Sequence, residues 1–217
     1  MKFVMSYSCG KDSTLALHHM IKNGNEPVAL IVMVNKEAER SYFHGADCKM
    51  LEAYSENLGI PILPTASNCE DYHIAMEESL RKAIEMGAEA ACFGDIDIDN
   101  NRAWSEARCE NVGIEAVFPL WQRNRADNVY EIVNSGYKCL IKSINNTLLP
   151  ESFLGKCIDS QIIEEMKSFG IDICGENGEY HTLAIDGPIF KTPIEYKTGE
   201  LIRLGDYSII DVTLKTL

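Results

Sequence analysis

The chain has 217 residues, 46% of them hydrophobic, which is enough for one large globular domain or a main domain with a smaller second one. Its formal net charge of -13, with no run of Lys and Arg to offset it, opposes binding to nucleic-acid backbones and anionic membranes. The longest apolar run, Val28 to Val34, is far too short to span a bilayer, and the 8 cysteines form no C-x-x-C pair, so a cytoplasmic protein with reduced thiols is expected, without signal peptide, zinc knuckle or disulfide framework.

Phe3-Val4-Met5 is apolar and rich in β-formers, which predicts a short buried strand. Thr14 to Ile21 has helical composition and ends near Gly24. Between them lies Ser8-Cys9-Gly10-Lys11-Asp12-Ser13. The order of strand, tight polar loop and helix aims the first helix amides, and the positive end of the helix dipole, at whatever sits over the loop. Gly10 lets a phosphate approach the backbone. Lys11 supplies a mobile cation on an exposed loop, Ser8 and Ser13 supply hydroxyls, and Asp12 offers a ligand to Mg²⁺ or one of its waters. The loop is not the common P-loop: Met5 stands where that motif has its first glycine, and Asp12 where it has Ser or Thr.

Val28 to Val34 reads as a continuous strand buried on both faces, as a parallel sheet requires. A polar loop, Asn35 to Tyr42, leads through Phe43-His44-Gly45-Ala46-Asp47 into a helix over Lys49 to Leu58, stopped by Gly59. Pro61 to Pro64 reads only as a short extended segment, because Pro suits a central strand poorly. Glu70 to Met86 is a clear amphipathic helix, with Met76, Leu80, Ala83 and Ile84 on one face and Gly87 at the C-cap. A buried strand follows at Ala90 to Phe93, ending at Gly94-Asp95. Then come a helix over Asn100 to Val112 and a strand over Glu115 to Phe118. This alternation predicts an α/β fold with a doubly wound, mostly parallel sheet, whose ligands bind beyond the C-terminal strand ends. The Ser8 loop, His44-Gly45 and Gly94-Asp95 all fall at or just beyond such ends.

After Trp121 the rhythm changes. A helix is expected over Ala126 to Asn134, a strand over Lys138 to Ile144, and a helix over Asp159 to Phe169 with Asp159 as N-cap. Asn177-Gly178, inside Gly175-Glu176-Asn177-Gly178-Glu179-Tyr180-His181-Thr182, is a strong type I′ hairpin signal. Tyr207 to Leu214 alternates and reads as a half-buried antiparallel strand. The expected division is an ATP-binding α/β domain over 1–121 and a smaller α+β region over 122–217. His18 and His19 are adjacent on a helix and cannot chelate as an i, i+4 pair, and His73 reads as a surface residue.

Ser8 to Ser13 resembles the S-G-G-x-D-S loop of the N-type ATP pyrophosphatases, with Cys9 in place of the first glycine. Further blocks match in order across nearly the whole chain: Phe43-His44-Gly45; Gly94-Asp95-Ile96 with Arg108, Glu110 and Pro119-Leu120-Trp121; Leu154-Gly155; and Gly175-Glu176, Gly178-Glu179, Thr182, Asp186 and Pro188. On these residues the chain resembles the diphthine–ammonia ligase family, a branch of those ATP pyrophosphatases. It departs at Cys9 and at Ala46, where many relatives have proline.

The resemblance implies an adenine nucleotide alpha hydrolase-like fold and ATP-dependent amide formation with ATP and Mg²⁺. A substrate carboxylate is adenylated with loss of pyrophosphate, and ammonia then displaces AMP. The implied nucleotide-binding residues are Ser8, Cys9, Gly10, Lys11, Asp12, Ser13 and Arg108, with Asp12 also the metal ligand. The implied catalytic residues are Lys11, Glu176 and Glu179, the glutamates holding ammonium, taking its proton or orienting the substrate carboxylate. The implied substrate-binding residues are His44, Gly94, Asp95, Gly175, Glu176, Glu179 and Thr182. The implied acceptor is protein-bound diphthine on elongation factor 2. A small-molecule carboxylate, for example in cobalamin salvage, is the alternative, since some members come from organisms without diphthamide. A tRNA-modifying enzyme with the same type of loop should carry a basic face or a sulfur-relay cysteine pair, and neither is visible. A nucleotide-binding protein without chemistry remains a rival. A homodimer is carried as an expectation that these residues do not decide.

Overall fold

A computed structural model describes residues 1–42 and 44–215. The first half alternates β1 (Lys2–Ser6), α1 (Lys11–Lys22), β2 (Glu26–Asn35), β3 (Arg40–Ser41), α2 (Cys48–Leu58), β4 (Ile62–Ser67), α3 (Tyr72–Glu85), β5 (Ala90–Cys92), α4 (Asp99–Val112) and β6 (Glu115–Val117). The second half adds α5 (Arg125–Asn134), β7 (Lys138–Asn145), a 3₁₀ turn at Glu151–Phe153, α6 (Ser160–Ser168), β8 (Tyr180–Asp186), β9 (Tyr196–Leu204) and β10 (Tyr207–Leu214).

In the first sheet β1 pairs in parallel with β2 and β5, β4 with β2, and β6 with β5; β3 adds a short antiparallel contact at the end of β2. Alternate side chains of β1 and β2 enter two different cores. Phe3, Met5, Leu30 and Val32 face one side, while Val4, Ala29 and Ile31 face the α3–α4 side with Met76, Leu80 and Ala83. The strands are thus buried on both faces, as their unbroken apolar runs imply. The strand order turns at β1, with β2 on one flank and β5 on the other, so the crevice beyond its C-terminal end is the usual ligand position for such sheets.

The second sheet is antiparallel, in the order β8-β7-β10-β9. Its apolar face, with Leu140, Ile144, Leu183 and Val212, shares one continuous core with Leu15, Leu17 and Tyr54 of α1 and α2. The C-terminal sheet is therefore built onto the helix side of the first sheet rather than tethered to it.

The helix limits have local causes. Asp47 and Asp159 accept from the amides of Met50 and Ile162, and Asn124 caps α5 through Ala126 and Asp127. Gly59 ends α2 in the left-handed region, φ 69°, where its amide closes on Ser55 O. The segment expected to be only a short extended piece is a full strand, β4, with Pro64 inside it. The chain tolerates this because β4 pairs on one side only, and a missing N–H can face away from the ladder. Among the described residues no helix is long and apolar enough to cross a membrane, and all eight cysteines are free.

Candidate functional site at the end of the first strand

Beyond β1 the chain turns through Ser8, Cys9 and Gly10 into α1. The turn is closed by its own hydroxyls. Ser13 Oγ accepts from Ser8 N at 3.2 Å, lies 3.0 Å from Ser8 Oγ and donates to Gly10 O at 3.1 Å, while Thr14 Oγ1 also donates to Gly10 O, at 2.8 Å. Cys9 takes φ 68°, a conformation that L side chains adopt at a cost of about 1–2 kcal/mol and glycine at almost none. The substituted loop position is thus one that calls for glycine, and the fully buried Cys9 side chain is accommodated against that strain.

The second sheet completes the turn. Ala184 N donates to Cys9 O at 2.8 Å, and Lys11 N, the first amide of α1, donates to Thr182 Oγ1 at 3.1 Å. β8 therefore docks its open edge against the loop. Lys11 is not on an exposed surface, as expected, but buried under this docking. Its ammonium lies 2.7 Å from Asp12 Oδ2 and 5.2 Å from the centre of the Tyr180 ring. Burial works against its charge, yet Asp12 and the neighbouring Tyr180 and Cys174 hold its pKa above the ordinary value.

The other oxygen of Asp12 lies 4.0 Å from Cys174 Sγ, and one ligand atom each from Asp12, Cys174 and Glu176 fall within 4.8 Å of one another. Burial first, then the Asp12 charge, push Glu176 up to about 7; Lys11 and Arg125 pull the other way. Two carboxylates in this position suit a hard divalent cation shared with phosphates, whereas the Cys174 thiol, driven up by burial, does not.

Glu179 is buried, but it faces its own loop rather than Asp12. Its carboxylate accepts from the amides of Asn177 at 3.0 Å and Asp172 at 3.3 Å, and from Asn177 Nδ2 at 3.1 Å. The expected type I′ hairpin does not form. No strand lies between α6 and β8 to lead into such a turn, Asn177 lacks the positive φ it needs, and the partner of β8 is β7. The buried Glu179 carboxylate supplies the acceptors that a strand ladder would otherwise offer. Arg125 braces the same loop from outside, gripping Asp97 at 2.6 and 2.7 Å, Asp172 at 2.5 Å and Asn177 Oδ1 at 3.2 Å.

The two other strand-end clusters also reach the loop. A Cβ on Gly94 would lie 3.0 Å from Ser13 N and 3.1 Å from Asp12 C, so only glycine lets this turn approach the start of α1 so closely. Asp95, beside it, is pushed up to about 6 by burial. His44 lies over Gly10, where a Cβ would come within 2.3 Å of the imidazole Cε1; the missing side chain of Gly10 thus admits His44 rather than a phosphate. His44 Nδ1 is 2.6 Å from Thr182 O and so carries the proton, and burial drives the imidazole pKa down to about 3. Its ring meets His181 at 5.3 Å. Phe43, the first residue of that sequence block, lies outside the described residues.

Gly175 packs against the Tyr180 ring. Arg108 does not come to the loop. It sits nine residues along α4, roughly 14 Å from the helix start at 1.5 Å per residue, pairs with Glu77 of α3 at 3.2 Å and lies over Trp104. His18 and His19 are not ligands; they bond Tyr137 and Glu131, each at 2.8 Å. Cys174, Tyr180, His181 and Arg125 join the site without having been singled out as site residues. The first three neighbour a marked motif, but nothing local distinguishes Arg125, whose partners lie 28 to 52 residues away. A small crevice of about 60 Å³ opens beside Ser8, lined by Ser6, Tyr7, Met33, Tyr42 and Tyr72 among others.

The model of the diphthamide synthase N-terminal domain matches residues 1–116, and that of the diphthamide synthase C-terminal domain matches residues 124–215. Proteins named diphthine–ammonia ligase are similar along nearly the whole chain. The Bos taurus protein is 26% identical and the Homo sapiens protein 27%, each over 93% of this chain and 85% of its own length. The Saccharomyces cerevisiae protein is 26% identical over 99% of this chain and 37% of its own length. A solved chain from Methanocaldococcus jannaschii, described as a predicted subunit of tRNA methyltransferase, aligns at TM-score 0.47 and 15% identity over 89% of this chain and 100% of that one. Two adjoining matches that divide the chain between its two sheets, joined at the loop they build together, place this protein in the diphthamide synthase family.

Proposed function

We propose that the protein is an ATP-dependent carboxylate–ammonia ligase that releases AMP and pyrophosphate, with diphthine on elongation factor 2 as its acceptor. The observation that carries this reading is the gathering of charge at the start of α1: the Lys11 ammonium, the Asp12 carboxylate and Glu176 lie together beside the helix N-terminus, against which Gly94 packs closely. An amide end with a nearby ammonium suits phosphate oxygens. Asp12 is the side chain that would hold Mg²⁺, which would screen phosphate charge. The names of the relatives support diphthine as the acceptor.

The chemistry follows from leaving groups. A carboxylate cannot be amidated directly, because oxide or hydroxide would have to depart. Attack of its oxygen on the α-phosphorus expels pyrophosphate, and AMP then leaves when ammonia attacks the acyl carbon. The protein positions the reactants and neutralises charge, and orientation alone supplies ~7–11 kcal/mol of barrier reduction in favourable cases. Glu176, with its raised pKa, is the group to hold ammonium and take its proton. Glu179 acts by shaping the loop that carries Glu176.

The test supplies ATP, Mg²⁺, ammonium and diphthine-bearing elongation factor 2, and follows AMP, pyrophosphate and the acid-to-amide mass change. Formation of ADP and phosphate, or no nucleotide turnover with any carboxylate acceptor, sinks the reading. Turnover only with a small carboxylate would keep the reaction and replace the acceptor.

A further inference from the structure

β7 carries a lysine into the interior. Lys142 is 3% exposed and forms no ion pair among the described residues. Asp211, the acidic side chain on the neighbouring β10, is engaged by Arg40 at 3.1 Å. The Lys142 ammonium donates instead to a main-chain carbonyl, Gly45 O, at 2.7 Å. Arg40 Nη1 donates to that same oxygen at 3.2 Å. Two cationic donors therefore converge on one carbonyl of a short turn.

A buried ammonium without a carboxylate is costly, and a neutral side chain of the same length would fill the space without that cost. Burial first, and Arg40 second, bring the Lys142 pKa down to about 8, against the pull of Asp211 and Asp47, neither of which pairs with it directly. The turn it grips is the one that delivers His44 onto Gly10. Gly45, at φ 63°, is adjacent to His44, and a Cβ there would lie 2.5 Å from the Lys142 ammonium. His44 in turn is fixed to Thr182 O at 2.6 Å, while Thr182 Oγ1 takes the Lys11 amide at 3.1 Å. A chain of direct contacts thus runs from Lys142 through Gly45 and His44 to the start of α1.

We propose that Lys142 is a positioning residue for the nucleotide loop: it holds Gly45 so that the adjacent His44 closes over Gly10 against β8, and its charge is retained for this at the expense of stability. The proposal rests on the reading of that loop as an ATP site. A stabilising core residue and a positioning residue differ in a measurable way. Replacing a merely structural lysine lowers stability and affinity together. Replacing this one should separate them.

The experiment measures direct ATP binding and, without ATP, the thermal midpoint of the full chain and its variants. Lys142→Met is expected to melt at or above the wild-type temperature and to bind ATP at least tenfold more weakly. His44→Ala is expected to weaken ATP binding as well, and Lys142→Met/His44→Ala to bind no more weakly than His44→Ala alone, since the lysine acts through the histidine. Gly45→Ala, which leaves Lys142 in place but pushes the turn off it, should repeat the tenfold loss and serves as the second variant if Lys142→Met does not fold. Wild-type affinity in Lys142→Met or Gly45→Ala overturns the proposal, as does a fall in melting temperature that parallels the loss of affinity, or additive losses in the double variant. If the wild-type protein itself binds no ATP, the ATP-site reading fails instead, so the two failures are distinguishable.

Discussion

The Lys11 amide donates to the Thr182 hydroxyl at 3.1 Å, across 171 positions of sequence. The first amide of α1 is thereby answered by the C-terminal sheet. Two residues on, the Ser13 amide lies where a Cβ on Gly94 would come within 3.0 Å, so the Gly94 turn packs directly on this end of the helix. The start of this helix is thus held by a strand from the other half of the chain. Neither sheet alone makes the site.

Thr182→Val removes the hydroxyl while keeping the shape, and leaves the buried Lys11 amide without a partner. The expected cost is about 1–3 kcal/mol, or a melting temperature lower by roughly 2–12 °C for a chain of this size. Thr182→Ser should restore both stability and ATP affinity. A valine variant as stable as wild type, with unchanged affinity, would remove Thr182 from the loop's support.

Most elements of the first half were legible in the sequence because β1, β2 and β5 carry unbroken apolar runs and each helix is bounded by a cap or glycine; β3, two residues in a polar stretch, and β4, half exposed with Pro64 inside it, were not. The second half was less legible. β9 is exposed along nearly its whole length, so no alternation marks it, and β8 was hidden by the Asn177-Gly178 turn signal. At the site, the Ser8 loop, His44 and Gly94-Asp95 do converge, as their strand-end positions implied, and Glu176, singled out by the family resemblance, meets Asp12 there. Arg108 does not, since its charge is answered by Glu77 on a neighbouring helix, a pairing no local pattern announces. The inward turn of Glu179 was equally hidden. Two glutamates three residues apart look alike in sequence, yet one faces Asp12 and the other faces its own loop's amides.

Lys11→Met separates binding from folding in a specific way. The variant loses a charge-assisted contact to phosphate, so ATP affinity should fall about 10- to 100-fold, the equivalent of ~1.5–3 kcal/mol. Lys11 also lowers the Glu176 pKa, so the pH midpoint of amide formation should move upward. Asp12, a quarter exposed, keeps solvent in place of its partner, and the melting temperature should change little. A large loss of stability, or an unmoved pH midpoint, would count against the assignment.

Glu179→Gln keeps the size of the side chain but replaces one carboxylate acceptor by an amide donor pointed at other donors. The loop from Asp172 to Glu179 should lose order, with a cost of about 1–3 kcal/mol, and both half-reactions should fall together. Hydrogen exchange at the Asn177 amide reports the loop directly. An unchanged exchange rate with selective loss of amidation would return Glu179 to a direct catalytic role.

Glu176→Gln should behave differently, because this carboxylate meets Asp12 rather than its own loop. Its pKa in the folded chain, about 7, lies above the ordinary carboxylate value, so the folded state binds the proton more tightly than the unfolded state does. The stability it contributes is full below about pH 4.5 and is lost as pH rises through 7. Glutamine cannot ionise, so the variant should be more stable than wild type at pH 8, by up to about 3 kcal/mol, and should show no such advantage at pH 4. Activity runs in the opposite direction. The ionised form is needed to hold ammonium and take its proton, so wild-type amide formation should rise with pH through about 7, and this rise should vanish in Glu176→Gln along with the reaction itself. Exchange of pyrophosphate into ATP needs the nucleotide and acceptor carboxylate but no ammonia, and Lys11 and Asp12 remain, so it should persist in the variant. Loss of exchange as well would make Glu176 a metal ligand required for adenylation. Full amide production would mean that ammonia is deprotonated elsewhere, with Asp95, also raised by burial, the next group to test.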